Sequence, residues 1–220
     1  MVIHSVDSPC RVRWKSLRLP SGVIWRSAYG EPVGELVTWA YELAREKLAV
    51  ALPRRWQHVQ GVAMEAVRIS DVFEPHGELL IAAAVLHDIG YAPDLATTGF
   101  HSLDGARYLT ASGAPERLVN LVANHSCARL EAQLRGLAAE LAAYPDECTP
   151  VRDALWYCDM TMTPDGEPCS FDTRAEEIHT RYGPEHVVSQ FMAQARDEIR
   201  AAVQRTKETL VPTGLDTWDH

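Results

Sequence analysis

The sequence predicts an all-α protein, a bundle of about seven to nine helices that follows a short N-terminal extension. From Glu35 onward, apolar residues recur at intervals of three and four, which is the period of an amphipathic helix. Almost no alternation of apolar and polar residues, which would indicate strands, occurs after Glu35. Glycine and proline residues fall between the periodic segments, where they end helices.

About nine helices are expected, with bounds that follow from the periodic segments and the residues that interrupt them. They lie over about 35–50, 55–73, 77–89, 102–111, 115–125, 129–143, 150–160, 173–181 and 184–209. The segment 11–27 differs, because two short apolar runs flank Pro20-Ser21-Gly22, a pattern typical of a hairpin of two strands. We therefore divide the chain into an N-terminal extension (1–34), one helical domain (35–210) and a tail (211–220).

Composition and charge narrow the classes of function. The 220 residues are 46% hydrophobic and 23% charged, which is typical of a globular domain. A net charge of −9 argues against a nucleic-acid polymer as partner, but leaves room for a local basic pocket that binds a small phosphate ester. The sequence has no apolar run of about 18 residues, and Met1–Arg11 lacks the layout of a signal peptide. We predict a cytoplasmic protein with no membrane partner.

The five cysteines are odd in number and scattered, and none belongs to a C-x-x-C pair. Neither a disulfide framework nor a zinc knuckle fits this spacing. We expect reduced thiols at Cys10, Cys127, Cys148, Cys158 and Cys169.

The segment 78–90 carries the first indication of chemistry. It is apolar around its whole circumference until His87 and Asp88, so we expect a central, fully buried helix that ends in a polar pair. Removing an imidazole and a carboxylate from water is costly unless they are paired, hydrogen-bonded or bound to a cation. A metal ion would satisfy both groups.

Four further polar residues lie in similar settings. His58, His125 and Asp159 each lie on an apolar face of an expected helix, and His101 begins one. Taken singly, each is expected to be a satisfied core or capping residue. Taken together with His87 and Asp88, and with few Lys or Arg between them, they favour a metal site with nitrogen and oxygen ligands. The remaining histidines are expected in solvent or loops: His4, His76, His179, His186 and His220.

These positions resemble the HD superfamily of metal-dependent phosphohydrolases, and H-D-I-G at 87–90 is similar to the form that names the HDIG group. The resemblance implies an HD-domain helical bundle with a binuclear centre. Its implied ligands are His58, His87, Asp88 and Asp159 for one ion, and His101 and His125, with Asp88 bridging, for the other. The implied cofactors are two divalent transition-metal ions, drawn from Fe, Mn, Ni, Co and Zn, with Mg as a further option.

Within the superfamily, the nearest likeness is to the bacterial HD-type diadenosine tetraphosphate hydrolases. Comparable positions are Gly105, Ala106, Ser126 and Arg129. The resemblance implies that water activated by the metals attacks phosphorus in a small phosphorylated substrate such as a nucleotide. Beside Asp88, the catalytic candidates are Arg129, as a phosphate clamp, and Tyr91, which would orient a leaving group or fill the pocket wall. Arg54 and Arg55 are further clamp candidates.

Two other functions stay open at this point. Some HD proteins with six ligands are diiron oxygenases, and iron fits histidine-rich sites equally well. Others have lost ligands and serve as non-catalytic signalling modules, whereas all six positions are filled in this chain. A homodimer is also compatible with the sequence.

Overall fold

The structure is a computed structural model that describes residues 34–218. The hairpin predicted within 11–27 lies outside the described residues. Within the described range the secondary structure is helical, and the β-type pairing consists of one isolated bridge between Met162 and Pro168. The predicted all-α fold class is confirmed for this part of the chain.

Ten α-helices follow one another in residues 34–218. They are α1 (Glu35–Leu48), α2 (Pro53–Ile69), α3 (Gly77–Leu86), α4 (His101–Ala111), α5 (Glu116–Ala123), α6 (Ala128–Arg135), α7 (Ala138–Leu141), α8 (Pro150–Met160), α9 (Phe171–Tyr182) and α10 (Val187–Leu210). Short 3₁₀ turns extend or connect them at Ser70–Phe73, Ile89–Tyr91, His125–Cys127 and Val211–Thr213.

Helix α3 forms the centre of the bundle, as its all-round apolar sequence predicts. Its residues from Leu80 to Leu86 are all buried, and it packs against α1, α2, α5 and α8. Each large apolar side chain buried in this way stabilises the fold by about 1.5–3 kcal/mol. The helix ends at Leu86, so His87 and Asp88 leave its C-terminal end toward a 3₁₀ turn.

One segment that was expected to form a single helix forms two helices. The sequence pattern predicts a single helix over 129–143, but Gly136 adopts a φ of 73° and ends α6. A residue in the left-handed region cannot continue an α-helix, and glycine adopts that region at little cost. The short helix α7 then begins at Ala138, so residues 34–218 contain ten α-helices where about nine were expected.

The C-terminal helix α10 packs on the domain, as its amphipathic stripe predicts. Phe191, Ala195 and Ile199 are buried, and the helix contacts α6, α8 and α9. Helices α9 and α10 pack on each other, and both contact α8. In residues 34–218 no helix has the length and apolar character needed to cross a lipid bilayer.

Two pairs of glycines let elements approach at backbone distance. A Cβ added to Gly90 would lie 2.0 Å from the carbonyl oxygen of His101 and 2.5 Å from the nitrogen of Gly105. A Cβ added to Gly61 would lie 2.5 Å from the Cα of Gly166. Because neither gap has room for a side chain, α4 begins directly against the turn after α3, and the loop 161–170 lies directly on α2.

Candidate metal centre

The candidate site lies where five elements meet. The contributed side chains are His58 of α2, His87 and Asp88 after α3, His101 of α4, His125 after α5, and Asp159 of α8. They form two groups, His58 with His87 and Asp159, and Asp88 with His101 and His125; in each group one ligand atom per residue lies within 4.8 Å of the others. The structure therefore brings together all six residues that the sequence singled out.

The first group joins residues that are far apart in the chain. Nε2 of His58 lies 3.1 Å from Oδ1 of Asp159 and 3.9 Å from Oδ2 of Asp88. Nε2 of His87 lies 3.8 Å from the same Asp159 oxygen and 3.3 Å from Oδ2 of Asp88. Two imidazole nitrogens thus converge on two carboxylates.

Asp88 links the first group to the second. Its Oδ2 faces His58 and His87, whereas its Oδ1 lies 3.4 Å from Nε2 of His101. The Nε2 atoms of His101 and His125 are 3.0 Å apart. A carboxylate whose two oxygens face separate pairs of histidines can bridge two cations.

The hydrogen bonds of the imidazole rings decide which nitrogen faces the cluster. Nδ1 of three rings donates to a main-chain carbonyl: His58 to Thr163 at 3.0 Å, His87 to Ala84 at 2.7 Å and His125 to Val122 at 2.6 Å. A neutral ring that donates from Nδ1 presents the lone pair of Nε2, as metal-bound histidines do. Nε2 of His87 is buried and has no hydrogen-bond partner among residues 34–218. The donor set therefore fits a divalent cation.

Both carboxyl groups are ionised at neutral pH. Burial would raise the pKa of Asp88, but the Arg55 guanidinium, 2.7 Å from its Oδ2, and the neighbouring His87 hold that pKa well below its usual range. Burial is also outweighed at Asp159, where the close approach of His58 and the charge of His87 lower the pKa. The cluster thus holds two negative charges away from water.

The histidines divide into two kinds. Burial lowers the pKa of His58, His101 and His125, so these rings are neutral at pH 7. Burial also disfavours a proton on His87, but the adjacent Asp88 carboxylate outweighs it and raises the pKa of His87 to about 9. In a protein without a bound cation, a proton on His87 and the guanidinium of Arg55 therefore balance the two carboxylates.

The turn that carries His125 has a strained backbone. Ser126 and Cys127 lie in the left-handed region, with φ of 46° and 63°, which costs a non-glycine residue about 1–2 kcal/mol. The Ser126 hydroxyl donates to Oδ2 of Asp159, and Trp156 donates to the carbonyl of Asn124 at 2.9 Å. These contacts stabilise a conformation of the kind that clusters at functional sites.

The structure does not bring Arg129 to the cluster. Its side chain is 47% exposed and pairs with Glu198. Arg54 also lies at the surface, paired with Asp165 at 2.8 Å. A regular helix would have placed Arg129 one turn beyond His125 on the same face, but the left-handed turn between them changes the direction of the chain.

Arg55 and Tyr91 do lie at the cluster. The Arg55 guanidinium bonds Asp88 and lies 4.1 Å above the Tyr91 ring, and that ring stacks on His101 with centroids 4.1 Å apart. Burial raises the pKa of Tyr91, so its phenol keeps its proton. Tyr91 thus forms a wall of the site and fixes the orientation of the two side chains that it contacts.

A cleft opens beside the cluster, and α9 and α10 form its far wall. Their lining residues include Arg174, Ile178, Arg181, Tyr182, Phe191 and Met192. The sequence did not lead us to place Arg174 or Arg181 in the site. The signal that could have found them is their spacing, since residues seven apart lie on the same face of a helix.

In residues 34–218 the fold and the site define a helical domain with a buried cluster of histidines and aspartates that could hold metal ions at the base of a cleft. Comparison with protein-family models found that residues 55–154 match the HD domain. The matched segment includes His58, His87, Asp88, His101 and His125, and Asp159 lies just beyond it. A search of curated proteins and a search of solved structures each found no match to this chain.

Proposed function

We propose that the chain is a metal-dependent phosphohydrolase that acts on a small organic phosphate, either an ester or an anhydride, such as a nucleotide. The observation that supports this most strongly is the convergence of four imidazole nitrogens and two carboxylates on one buried cluster. The match to the HD domain supports the same class of reaction. An Arg guanidinium at the cluster adds a group suited to phosphoryl oxygens.

The proposal includes a binuclear centre. His58, His87, Asp88 and Asp159 would hold one divalent ion, and His101 and His125 would hold a second, with Asp88 shared between them. Such ions lower the pKa of coordinated water and withdraw charge from phosphoryl oxygens. Nitrogen and oxygen ligands in this ratio suit Fe, Mn, Ni, Co or Zn better than Mg, which prefers oxygen ligands alone.

The side chains around the cluster would bind and orient the substrate. Arg55 is held by Asp88 on one side and by the Tyr91 ring on another, so its remaining N–H groups are available for a phosphoryl oxygen at little entropic cost. Arg55 thereby replaces Arg129 as the proposed clamp. The apolar residues of the far wall, Ile178 and Phe191 among them, would exclude water from the bound phosphoryl group.

The decisive experiment combines elemental analysis with an assay. The purified protein should contain transition metal, and it should release phosphate from one or more members of a panel of nucleotides, including diadenosine tetraphosphate. Asp88→Ala should lower kcat/KM by about 100-fold or more, because it removes the shared ligand. Asp165→Ala, an exposed carboxylate paired with Arg54, is the matched control and should keep full activity. Equal turnover by the wild type and Asp88→Ala would contradict the proposal.

A diiron oxygenase is the second candidate, because the four-histidine, two-aspartate set also suits iron. The assay separates the two reactions when it is run without oxygen. Phosphate release under anaerobic conditions would support hydrolysis, whereas substrate-dependent oxygen consumption by the iron-loaded protein would support oxidation. A protein that binds no metal would instead support a non-catalytic module.

A further inference from the structure

The wall of the cleft that faces the cluster carries two arginines that the proposed reaction does not use. Both Arg174 and Arg181 belong to α9, which lies outside the segment that matches the HD domain. Both line the same cleft as Asp88 and Asp159. Arg174 is buried, with 5% of its surface exposed, whereas Arg181 lies at the surface. The two guanidinium groups therefore extend from the interior of the cleft to its mouth.

Arg174 has an unused donor inside the protein. One of its terminal nitrogens donates to Oε2 of Glu177 at 2.6 Å, but its Nε is buried and has no acceptor among residues 34–218. A buried donor without a partner is costly, and it is more costly when the group is charged. The hydrogen bonds of this guanidinium inside the protein are therefore incomplete, and the same side chain lines the cleft, from which an anionic ligand would approach it.

The carboxylate beside these arginines neutralises one of the two charges. Oε2 of Glu177 accepts from Arg174 and also from Arg181, the latter at 2.8 Å. Because two guanidinium groups share one carboxylate, this group of three side chains carries a net charge of about +1. Arg174 is buried, so its attraction for an anion is screened less than that of a charge at an open surface.

This part of the cleft is close to the cluster without belonging to it. The charge of Arg174 is near enough to contribute to the lowered pKa of His58, after the larger effect of burial. Arg55 is paired with Asp88, whereas the partner of Arg174 is Glu177. A ligand whose phosphoryl group reaches the cluster can therefore meet Arg174 with another part of the same molecule.

We propose that Arg174, assisted by Arg181, binds a second anionic group of the substrate, so that the substrate is an organic phosphate that carries a further phosphate or carboxylate. This inference rests on the proposed function, because it assumes that the first phosphoryl group binds at the cluster. The apolar residues Ile178, Tyr182 and Phe191 on the same wall suit a carbon skeleton between the two anionic groups better than an inorganic polyphosphate chain.

Binding of small phosphonates to the manganese-loaded protein tests this inference without any need for turnover. Phenylphosphonate carries one anionic group, whereas its 3- and 4-carboxy and 3- and 4-phosphono derivatives carry two. Isothermal titration calorimetry should give a Kd for the best doubly anionic probe about tenfold or more below that for phenylphosphonate, as expected for one charge-assisted hydrogen bond. Preference for the carboxy or the phosphono series identifies the second group.

Variants assign the preference to Arg174. Arg174→Gln should remove most of the preference for the doubly anionic probes. The Kd for phenylphosphonate should stay within about twofold of the wild-type value, because this probe lacks the second anionic group to which Arg174 would donate a charge-assisted hydrogen bond. Arg129→Gln, an exposed arginine outside the cleft, should retain the preference. Arg181→Gln, which removes a surface group, should reduce the preference in part and serves if Arg174→Gln does not fold.

The outcomes separate this inference from the proposed function. If phenylphosphonate binds but the doubly anionic probes bind no better, or if Arg174→Gln and Arg181→Gln both keep the preference, the second anion site is wrong and the hydrolase proposal stands. If Arg174→Gln weakens all probes equally, Arg174 has a structural role and the inference is overturned. If no phosphonate binds to the metal-loaded protein, the proposed function itself fails.

Discussion

At His87 a proton and a metal ion compete for the same nitrogen. The adjacent Asp88 outweighs burial and raises the pKa of His87 to about 9, above the ordinary value of about 6.5. The protonated ring therefore stabilises the metal-free protein fully below pH 6.5, and this contribution is lost as the pH rises through about 9. A cation that binds Nε2 must displace the proton, so protonation opposes metal binding throughout this range.

We accordingly predict that metal affinity rises with pH. Between pH 6.5 and 8.5 the association constant for Mn²⁺ should increase by up to about tenfold per pH unit, since one proton is released for each ion bound. Competition with a chromophoric chelator at several pH values measures it, and calorimetry in two buffers of different ionisation enthalpy counts the protons. An affinity that does not change with pH would contradict the prediction.

The two arginines that the sequence offered as clamps should differ in kinetics. Arg55→Gln removes a guanidinium held against Asp88 and Tyr91 at the cluster, so kcat/KM should fall by about 10- to 100-fold, the effect of one or two charged hydrogen bonds. Arg129→Gln removes an exposed partner of Glu198 and should change kcat/KM less than about twofold. Steady-state assays at matched metal content measure both. A larger loss for Arg129→Gln would restore the sequence-based choice.

This contrast shows where residue patterns are sufficient. His58, His125 and Asp159 were found because each interrupts an apolar face, and burial of polar groups needs compensation. The position of Arg129 away from the cluster was not predictable in this way, because it depends on a left-handed turn at Ser126 and Cys127. Neither residue is glycine, so the sequence does not indicate a left-handed backbone there.

At the scale of elements, the contact between α4 and the turn after α3 depends on Gly90. Its missing Cβ would lie 2.0 Å from the carbonyl oxygen of His101, so Gly90→Ala must push the start of α4 away from Asp88. We predict that the free energy of unfolding falls by about 2 kcal/mol or more, because the added methyl group has no space between the two backbone segments. Because His101 begins α4, the variant should also lose metal from the second group of ligands.

A matched control separates crowding from backbone strain. Gly113 has a φ of 73° and open space where a Cβ would lie, so Gly113→Ala should cost about 1 kcal/mol from the left-handed conformation alone. It should keep the same metal content as the wild type. Urea unfolding and elemental analysis of both variants provide the measurements, and full metal content in Gly90→Ala would show that α4 does not need this close contact.

Helices were predictable as elements because their signals are local. The apolar circumference of 78–86 is enough to identify α3 as the central helix, and Pro150 with Thr149 before it marks the start of α8. The division of 129–143 was less visible, because Gly136 lies among good helix formers and its left-handed φ depends on the packing of α6. The spacing of Arg174 and Arg181 places both on one face of α9, but whether that face lines the cleft is decided by tertiary packing.

At the scale of the whole molecule, the candidate centre joins segments that are 101 positions apart between His58 and Asp159. Periodicity assigns both residues to buried faces, but the faces that meet are decided by packing around α3. The sequence pattern therefore predicted which residues form the cluster, whereas the family resemblance implied which of them share an ion. The structure shows the geometry, in which Asp88 lies between the two groups.

Because the ligands come from five elements, metal binding should stabilise the whole fold. A ligand that binds the folded chain alone adds about 2.7 kcal/mol of stability at a free concentration 100 times its Kd, which raises the Tm of a chain of this size by roughly 5–10 °C. Differential scanning calorimetry of the metal-free protein, with and without added Mn²⁺, should show this rise.

Two variants test whether the cluster is the site of binding. Asp159→Asn should abolish most of the rise in Tm, because the substitution removes a charged ligand that faces His58 and His87. Asp165→Asn, at the surface, should keep the rise. A Tm unchanged by metal in the wild type would mean that the six side chains meet without forming an ion site.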